Sequence, residues 1–224
     1  MRAAFFDVNG TLTTGRVWEG LMAYFKERNL RRWTYLAYWA YNMPIYLLYK
    51  AGLIKEESFR SPWAAKLAWF YRGYTVEEVD EISEWVVTNY VKEHWREDVR
   101  QRLDDHGKTG DVVVLVSGGG FPMLQRLAQE LNVEHYVGTE YEIQDGCYTG
   151  RTVGPACIGE NKVSLTRAYL NMQGLPVDFQ VSYTYADSIA DLDLLEVVGN
   201  PIATYPDKEL RTLSEERGWS IFPF

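Results

Sequence analysis

Cysteine is scarce in this chain: Cys147 and Cys157 are the only two in 224 residues. Two thiols give no disulfide framework, which excludes a small stapled scaffold and fits a reducing cytosol, with a single bridge as the alternative. No Cys/His cluster has zinc-site spacing. Positive charge is short as well: 23 Lys and Arg stand against 31 Asp and Glu, a net charge of -8. Nucleic-acid binding draws on basic patches, so no nucleic-acid partner is expected. Repeats and low-complexity tracts are missing. The first residues run straight into an apolar, strand-like stretch, which predicts no signal peptide and a cytoplasmic protein. What remains is long enough to bury a sizeable core, as one domain or as one domain with an insertion.

The chemistry starts at the first strand. Phe5-Phe6 leads into Asp7-Val8-Asn9-Gly10-Thr11-Leu12-Thr13, so a buried-type strand ends on a carboxylate and a Gly-Thr turn follows. In an open α/β sheet, ligands bind beyond the carboxyl ends of the strands. An Asp there can serve as a nucleophile or as a ligand for a hard cation. Val112 to Val116 reads as a second buried strand, ending at Ser117-Gly118-Gly119-Gly120. Lys162 opens a helical segment after Gly159-Glu160-Asn161. Val181 to Tyr185 reads as another strand, ending in Ala186-Asp187-Ser188-Ile189-Ala190-Asp191. Asp191, four residues after Asp187, returns to the same face of the next turn. Plainer readings exist for each residue. Asp7 would suit a buried or capping Asp at a strand end, and Asp187 before Ser-Ile-Ala would suit a helix N-cap. Ser117 to Gly120 would suit an ordinary glycine turn, and Lys162 a surface helix. Asp193 reads as a solvated helix face.

Together, in this order and at these spacings, Asp7, Ser117, Lys162 and the Asp187/Asp191 pair resemble the four motifs of the haloacid dehalogenase superfamily of phosphohydrolases. The likeness is closest to its phosphoserine-phosphatase-like branch and covers nearly the whole chain. The resemblance implies a Mg²⁺-dependent phosphatase in which Asp7 attacks phosphorus and forms an aspartyl-phosphate. It implies Asp7, the backbone carbonyl of Asn9 and Asp187 as Mg²⁺ ligands, with Asp191 binding through water or orienting Lys162. Ser117, the Gly118 amide and Lys162 would hold the phosphate. Asn9 departs from the pattern, because most phosphatases of the superfamily carry a second Asp there as the acid and base. An amide cannot exchange that proton, and losing such help costs ~10²–10⁴-fold in rate. Three explanations compete: an engineered substitution that traps a bound state, a natural variant for leaving groups that need little protonation, or a binding-only relative. The first is preferred, because the other motifs are intact. A phosphotransferase is a further alternative.

The pattern along the chain predicts an α/β fold: a doubly wound, Rossmann-like parallel sheet with an inserted helical cap. Residues 1–14 and 96–224 form the core and 15–95 the cap. The cap reads as helices over Val17–Asn29, Arg31–Tyr49 (interrupted near Pro44), Lys55–Tyr71 and Thr75–Trp95, the last opened by the capping box Thr75-Val76-Glu77-Glu78. Strands and helices alternate beyond, with an Asp145-Gly146 hairpin turn and strands expected over Asp111–Val116 and Phe179–Tyr185. Most of the 8 Trp lie between Trp33 and Trp95, with many of the 16 Tyr. Trp33 to Ile54 contains one charge, Lys50, and reads as two amphipathic helices packed on each other or on a partner subunit. A membrane span and an interfacial face are the alternatives. The interfacial face suits an amphiphilic phosphomonoester and peripheral membrane contact; the plainer and preferred reading is an aromatic core with a homodimer contact. The expected partner is a small phosphorylated substrate. Arg16, Glu19, Arg60 and Arg72 are candidate substrate-selecting residues.

Overall fold

The computed structural model describes residues 1–223, apart from the side chains of Glu56 and Glu57. Its elements run β1 (Ala3–Phe6), α1 (Val17–Glu27), α2 (Arg32–Lys50), α3 (Glu56–Lys66), α4 (Val76–Asn89), α5 (Glu97–Lys108), β2 (Val112–Gly120), α6 (Phe121–Glu130), β3 (His135–Thr139), β4 (Tyr141–Gln144), β5 (Cys147–Thr152), α7 (Glu160–Met172), β6 (Tyr183–Ala186), α8 (Leu192–Glu196), β7 (Asn200–Thr204), α9 (Lys208–Arg217) and β8 (Ser220–Phe222). Six strands pair in the order β3-β2-β1-β6-β7-β8, every pair parallel. β1 alternates between two apolar layers. Ala4 and Phe6 pack with Val99 and Leu103 of α5 and Leu124 and Leu127 of α6. Ala3 and Phe5 pack with Leu170 of α7 and Leu194 of α8. Burying Phe5 and Phe6 completely contributes about 1.5–3 kcal/mol each. Helices therefore cover both faces, and the expected doubly wound sheet is present. β2 and β6 flank β1 on opposite sides, so the chain reverses its direction of travel across the sheet at β1. A crevice opens at such a point.

The helical block α1 to α4 follows β1 as a cap-like region. It shares its core with the sheet: Val17, Leu21 and Phe25 of α1 and Val79, Ile82 and Val86 of α4 belong to the same apolar cluster as Phe6. The β4–β5 hairpin turns at Asp145-Gly146, both with positive φ as a tight hairpin turn requires. It packs away from the main sheet onto the helical block, where Tyr148 exchanges backbone hydrogen bonds with Gly73 and Tyr74 (2.7 and 2.9 Å).

Several boundaries differ from the sequence expectation. Pro44 does not interrupt α2, which runs unbroken to Lys50. The carbonyl that loses its donor there is that of Ala40, an exposed residue. The long helices expected over Lys55–Tyr71 and Thr75–Trp95 tighten into 3₁₀ turns at Leu67–Tyr71 and Val91–His94. The Thr75 capping box is present, with Glu78 N–H donating to Thr75 Oγ1 at 3.2 Å and Thr75 N–H to Glu78 at 2.8 Å. The strand expected from Phe179 begins only at Tyr183, because Phe179–Val181 is a 3₁₀ turn. β2 continues past Val116 through the glycines, with a register shift between Val116 and Gly120. Glycines permit this bulge, and a Cβ at Gly120 would sit 2.4 Å from the Tyr141 ring. Cys147 and Cys157 are both free thiols. No helix among the described residues is long and apolar enough to cross a membrane, which removes the spanning alternative for Trp33–Ile54.

Candidate active site

Asp7 follows β1 directly, and its backbone N–H donates to the Tyr185 carbonyl of β6 at 3.0 Å. That bond carries the sheet one residue further and fixes the carboxylate above the β1 end. Lys162, from the first turn of α7, reaches the same point. Its Nζ lies 2.6 Å from Asp7 Oδ1 and 2.5 Å from Asp191 Oδ1. All three residues are buried. Asp187 follows β6, and one oxygen each of Asp7, Asp187 and Asp191 lie within 4.8 Å of one another. Four of the predicted residues, separated by up to 184 positions in sequence, thus meet at one sheet edge.

The charges there are unevenly balanced. Burial pushes the Asp7 carboxyl up to about 6, although Lys162 opposes the shift. Burial and the neighbouring Asp7 and Asp191 charges push Asp187 up to about 8. Burial pulls Lys162 down, but Asp191 and Asp7 outweigh it and hold the ammonium charged. Three carboxylates around one ammonium leave an excess of negative charge. A hard divalent cation with oxygen ligands answers that excess, so the donor set fits Mg²⁺. The turn before it is shaped for close approach. Gly10 has φ +96°, and a Cβ there would lie 2.1 Å from Asp187 Oδ2.

Ser117 is buried at the bulge of β2. The Gly119 amide donates to its Oγ at 3.2 Å, and Asn9 Nδ2 approaches the same oxygen at 3.4 Å. Gly118 is packed so closely that a Cβ would meet Ile158 at 2.3 Å, and its carbonyl accepts from Thr139 Oγ1 at 2.9 Å. Asn9 has a second bond: its Oδ1 accepts the Val17 N–H at 2.7 Å. Val17 opens α1, whose first amides have no partner within the helix. Asn9 therefore ties the turn after β1 to the start of α1.

Other residues of the site were not anticipated. Thr11 Oγ1 donates to Asp187 Oδ1 at 3.1 Å, and Arg96 Nε donates to the Gly10 carbonyl at 3.2 Å. The Gly-Thr turn is a signal that could have found Thr11, but no local signal points to Arg96. The N-cap expected of Asp187 belongs to Ser188, whose Oγ accepts the Ala190 N–H at 3.3 Å. This leaves the Asp187 carboxylate facing the cluster. Arg60 of α3 donates to that same Ser188 Oγ at 3.3 Å, which brings it to the rim of the site. Glu19 is held by Tyr90, whose hydroxyl donates to it at 2.8 Å. Arg16 forms the N-cap of α1, and the Arg72 side chain runs beside Gly150 of β5. Asp193 is exposed, as expected.

Residues 4–196 match the family of haloacid dehalogenase-like hydrolases, and the chain belongs to that family. Its relatives place it in the phosphoserine-phosphatase-like branch. A phosphoserine phosphatase of Mycobacterium tuberculosis is 30% identical over 224 residues, covering 99% of this chain and 70% of that one. A histidinol-phosphatase of Neisseria meningitidis is 28% identical, covering 83% of this chain and 82% of that one. Among solved structures, a Bordetella pertussis protein of unknown function superposes with a TM-score of 0.82 at 26% identity, covering 98% of this chain and 97% of that one.

Proposed function

We propose that this chain is a Mg²⁺-dependent phosphomonoester hydrolase that works through an aspartyl-phosphate on Asp7 and is slowed at its proton-transfer step by Asn9. The observation that carries the reading is the Lys162 ammonium clamped between Asp7 and Asp191, with Asp187 alongside. Residues 1–14 and 96–224 serve as the core and 15–95 as the cap. Asp7, Asp187 and the Asn9 backbone carbonyl would hold the metal. Asp191 orients Lys162 and would be able to reach the metal through water. Bound there, Mg²⁺ would neutralise the repulsion between the Asp7 carboxylate and an incoming phosphate.

The chain's own groups divide the remaining work. An Asp7 oxygen attacks phosphorus, the P–O bond to the leaving group breaks, and the electron pair leaves on that oxygen. Ser117, the Gly118 amide and Lys162 hold the phosphoryl oxygens, whose dispersed charge is what such sites stabilise. Asn9 orients the turn but has no proton to give to the leaving oxygen or to take from the attacking water. The named relatives act on phosphoserine and histidinol phosphate, both small polar phosphomonoesters, and Arg60 at the rim would meet the organic part of such a substrate. The aromatic cap favours a more amphiphilic one.

Asn9 also favours a second reading, a phospho-ligand binder that turns over weakly. One experiment separates the two. With p-nitrophenyl phosphate and Mg²⁺, the hydrolase reading expects a burst of nitrophenol and a protein mass raised by one phosphoryl group. Asp7→Asn should show neither. Binding of the ester with no burst and no mass gain would leave the binder. Transfer of phosphoryl to an added alcohol would mark a phosphotransferase.

A further inference from the structure

Helix α2 buries Tyr38 and Asn42 and turns an apolar face outward. Surface helices of globular proteins bury an apolar stripe and expose polar residues. In α2 the amide of Asn42 is buried (1% exposed). Every exposed position from Trp33 to Leu48 carries an apolar or tyrosine side chain. Trp33, Leu36, Ala40, Pro44 and Leu47 recur at spacings of three and four, so they form one outward stripe. Trp33 at its end is 84% exposed. A contiguous apolar face of this kind marks an interaction surface. Its charge is equally one-sided. From Arg28 to Lys55 there are five basic residues and no acidic one, in a chain whose net charge is -8. At the Arg32 end, the stripe runs into an apolar groove of ≈ 360 Å³ bordered by Lys26 and Arg32.

We infer that α2 docks this protein on the surface of an anionic lipid bilayer. Tryptophan and tyrosine place their apolar bodies and polar tips at the membrane-water boundary. Basic side chains at both ends of the stripe match anionic headgroups. No helix among the described residues spans a bilayer, so the helix lies in the plane of the surface. A second copy of the chain fits less well. Two-fold pairing repeats the same patch on both partners. Antiparallel α2 helices would then set Arg31 and Arg32 of one copy toward Lys50 and Lys55 of the other. The inference stands whether or not the site hydrolyses phosphate esters.

Vesicle co-sedimentation of the full chain tests it. The protein should bind vesicles of phosphatidylcholine with phosphatidylserine about tenfold more tightly than phosphatidylcholine alone, and added salt should release it. The double variant Trp33→Ser, Leu47→Ser alters exposed side chains only and should keep its circular dichroism and melting curve. It should lose at least about tenfold in vesicle binding. The double variant Arg32→Glu, Lys55→Glu should lose the preference for phosphatidylserine. Absence of sedimentation with either vesicle would overturn the inference, as would binding that the apolar variant leaves unchanged. A concentration-dependent dimer in sedimentation equilibrium, broken by that variant, would overturn it in favour of a second copy.

Discussion

On the proposed reading, replacing Asn9 by Asp should speed hydrolysis sharply, and the structure sets how much else should change. Asn9 Oδ1 accepts the Val17 N–H at 2.7 Å, and either carboxylate oxygen of an Asp would do the same. The amide nitrogen faces Ser117 Oγ at 3.4 Å. That hydroxyl already accepts from Gly119 N–H, so its own proton is available to an oxygen placed there. A carboxylate at the start of α1 gains about 0.3–1 kcal/mol from the helix dipole, and repulsion from the Asp7, Asp187 and Asp191 cluster opposes it. The fold should therefore keep its stability to within about 1 kcal/mol. The rate should not stay the same. A positioned acid is worth ~10²–10⁴-fold, or about 2.7–5.5 kcal/mol of barrier. The assay is kcat/KM for an alkyl phosphate and for p-nitrophenyl phosphate, with Mg²⁺ and with chelator. An alkoxide needs a proton to leave and nitrophenolate does not, so the gain should appear mainly with the alkyl ester. A folded Asn9→Asp protein that binds phosphate yet gains less than about tenfold on the alkyl ester would refute the reasoning. Equal gains on both esters would refute it too.

Three further perturbations probe the same cluster. Gly10→Ala should cost about 1–3 kcal/mol in urea denaturation, because φ is +96° and the new Cβ would lie 2.1 Å from Asp187 Oδ2; Mg²⁺ titration should show weaker binding as well. Lys162→Met leaves two buried carboxylates without their cation, at a cost of about 3–5 kcal/mol, and Mg²⁺ should restore part of the lost stability in thermal melts. Asp7 and Asp187 carry folded values of about 6 and about 8 against an ordinary 3.8. The folded protein thus holds more protons than the unfolded chain between those limits. Without metal, its stability should fall as pH rises from about 4 to about 8. Protons and Mg²⁺ compete for the same oxygens, so the rise in Tm on adding Mg²⁺ should be larger at pH 8 than at pH 5.

Features set by local rules were legible in the sequence. The apolar run ending at Asp7, the Asp145-Gly146 turn and the Thr75 capping box each depend on a few adjacent residues. The convergence of Asp7, Lys162, Asp187 and Asp191 followed from the order of strands, since parallel strands deliver their ends to one edge. What escaped is long-range. Arg96 on the Gly10 carbonyl spans 86 positions; Arg60 is a candidate by type, but its contact with Ser188 spans 128. Ser188 and Asp187 are equally good caps by type, and only the geometry after β6 chooses between them. Pro44 reads as a break, yet its helix continues; the carbonyl it orphans belongs to an exposed residue, Ala40.

The uneven burial of the helical block has a consequence for how this chain could acquire new substrates. α1 buries four side chains and α4 five, and they share their core with Phe6. Across α2 and α3, the buried side chains among those described are Tyr38, Asn42 and Ala64. Regions with few buried apolar contacts open at a lower free energy than the rest. They also tolerate substitution, because less packing is lost. Arg60 sits in this loosely anchored hairpin, while Asp7, Lys162 and Asp187 sit on the sheet. Selectivity can therefore drift in the α2–α3 hairpin without disturbing the positions of the reacting groups.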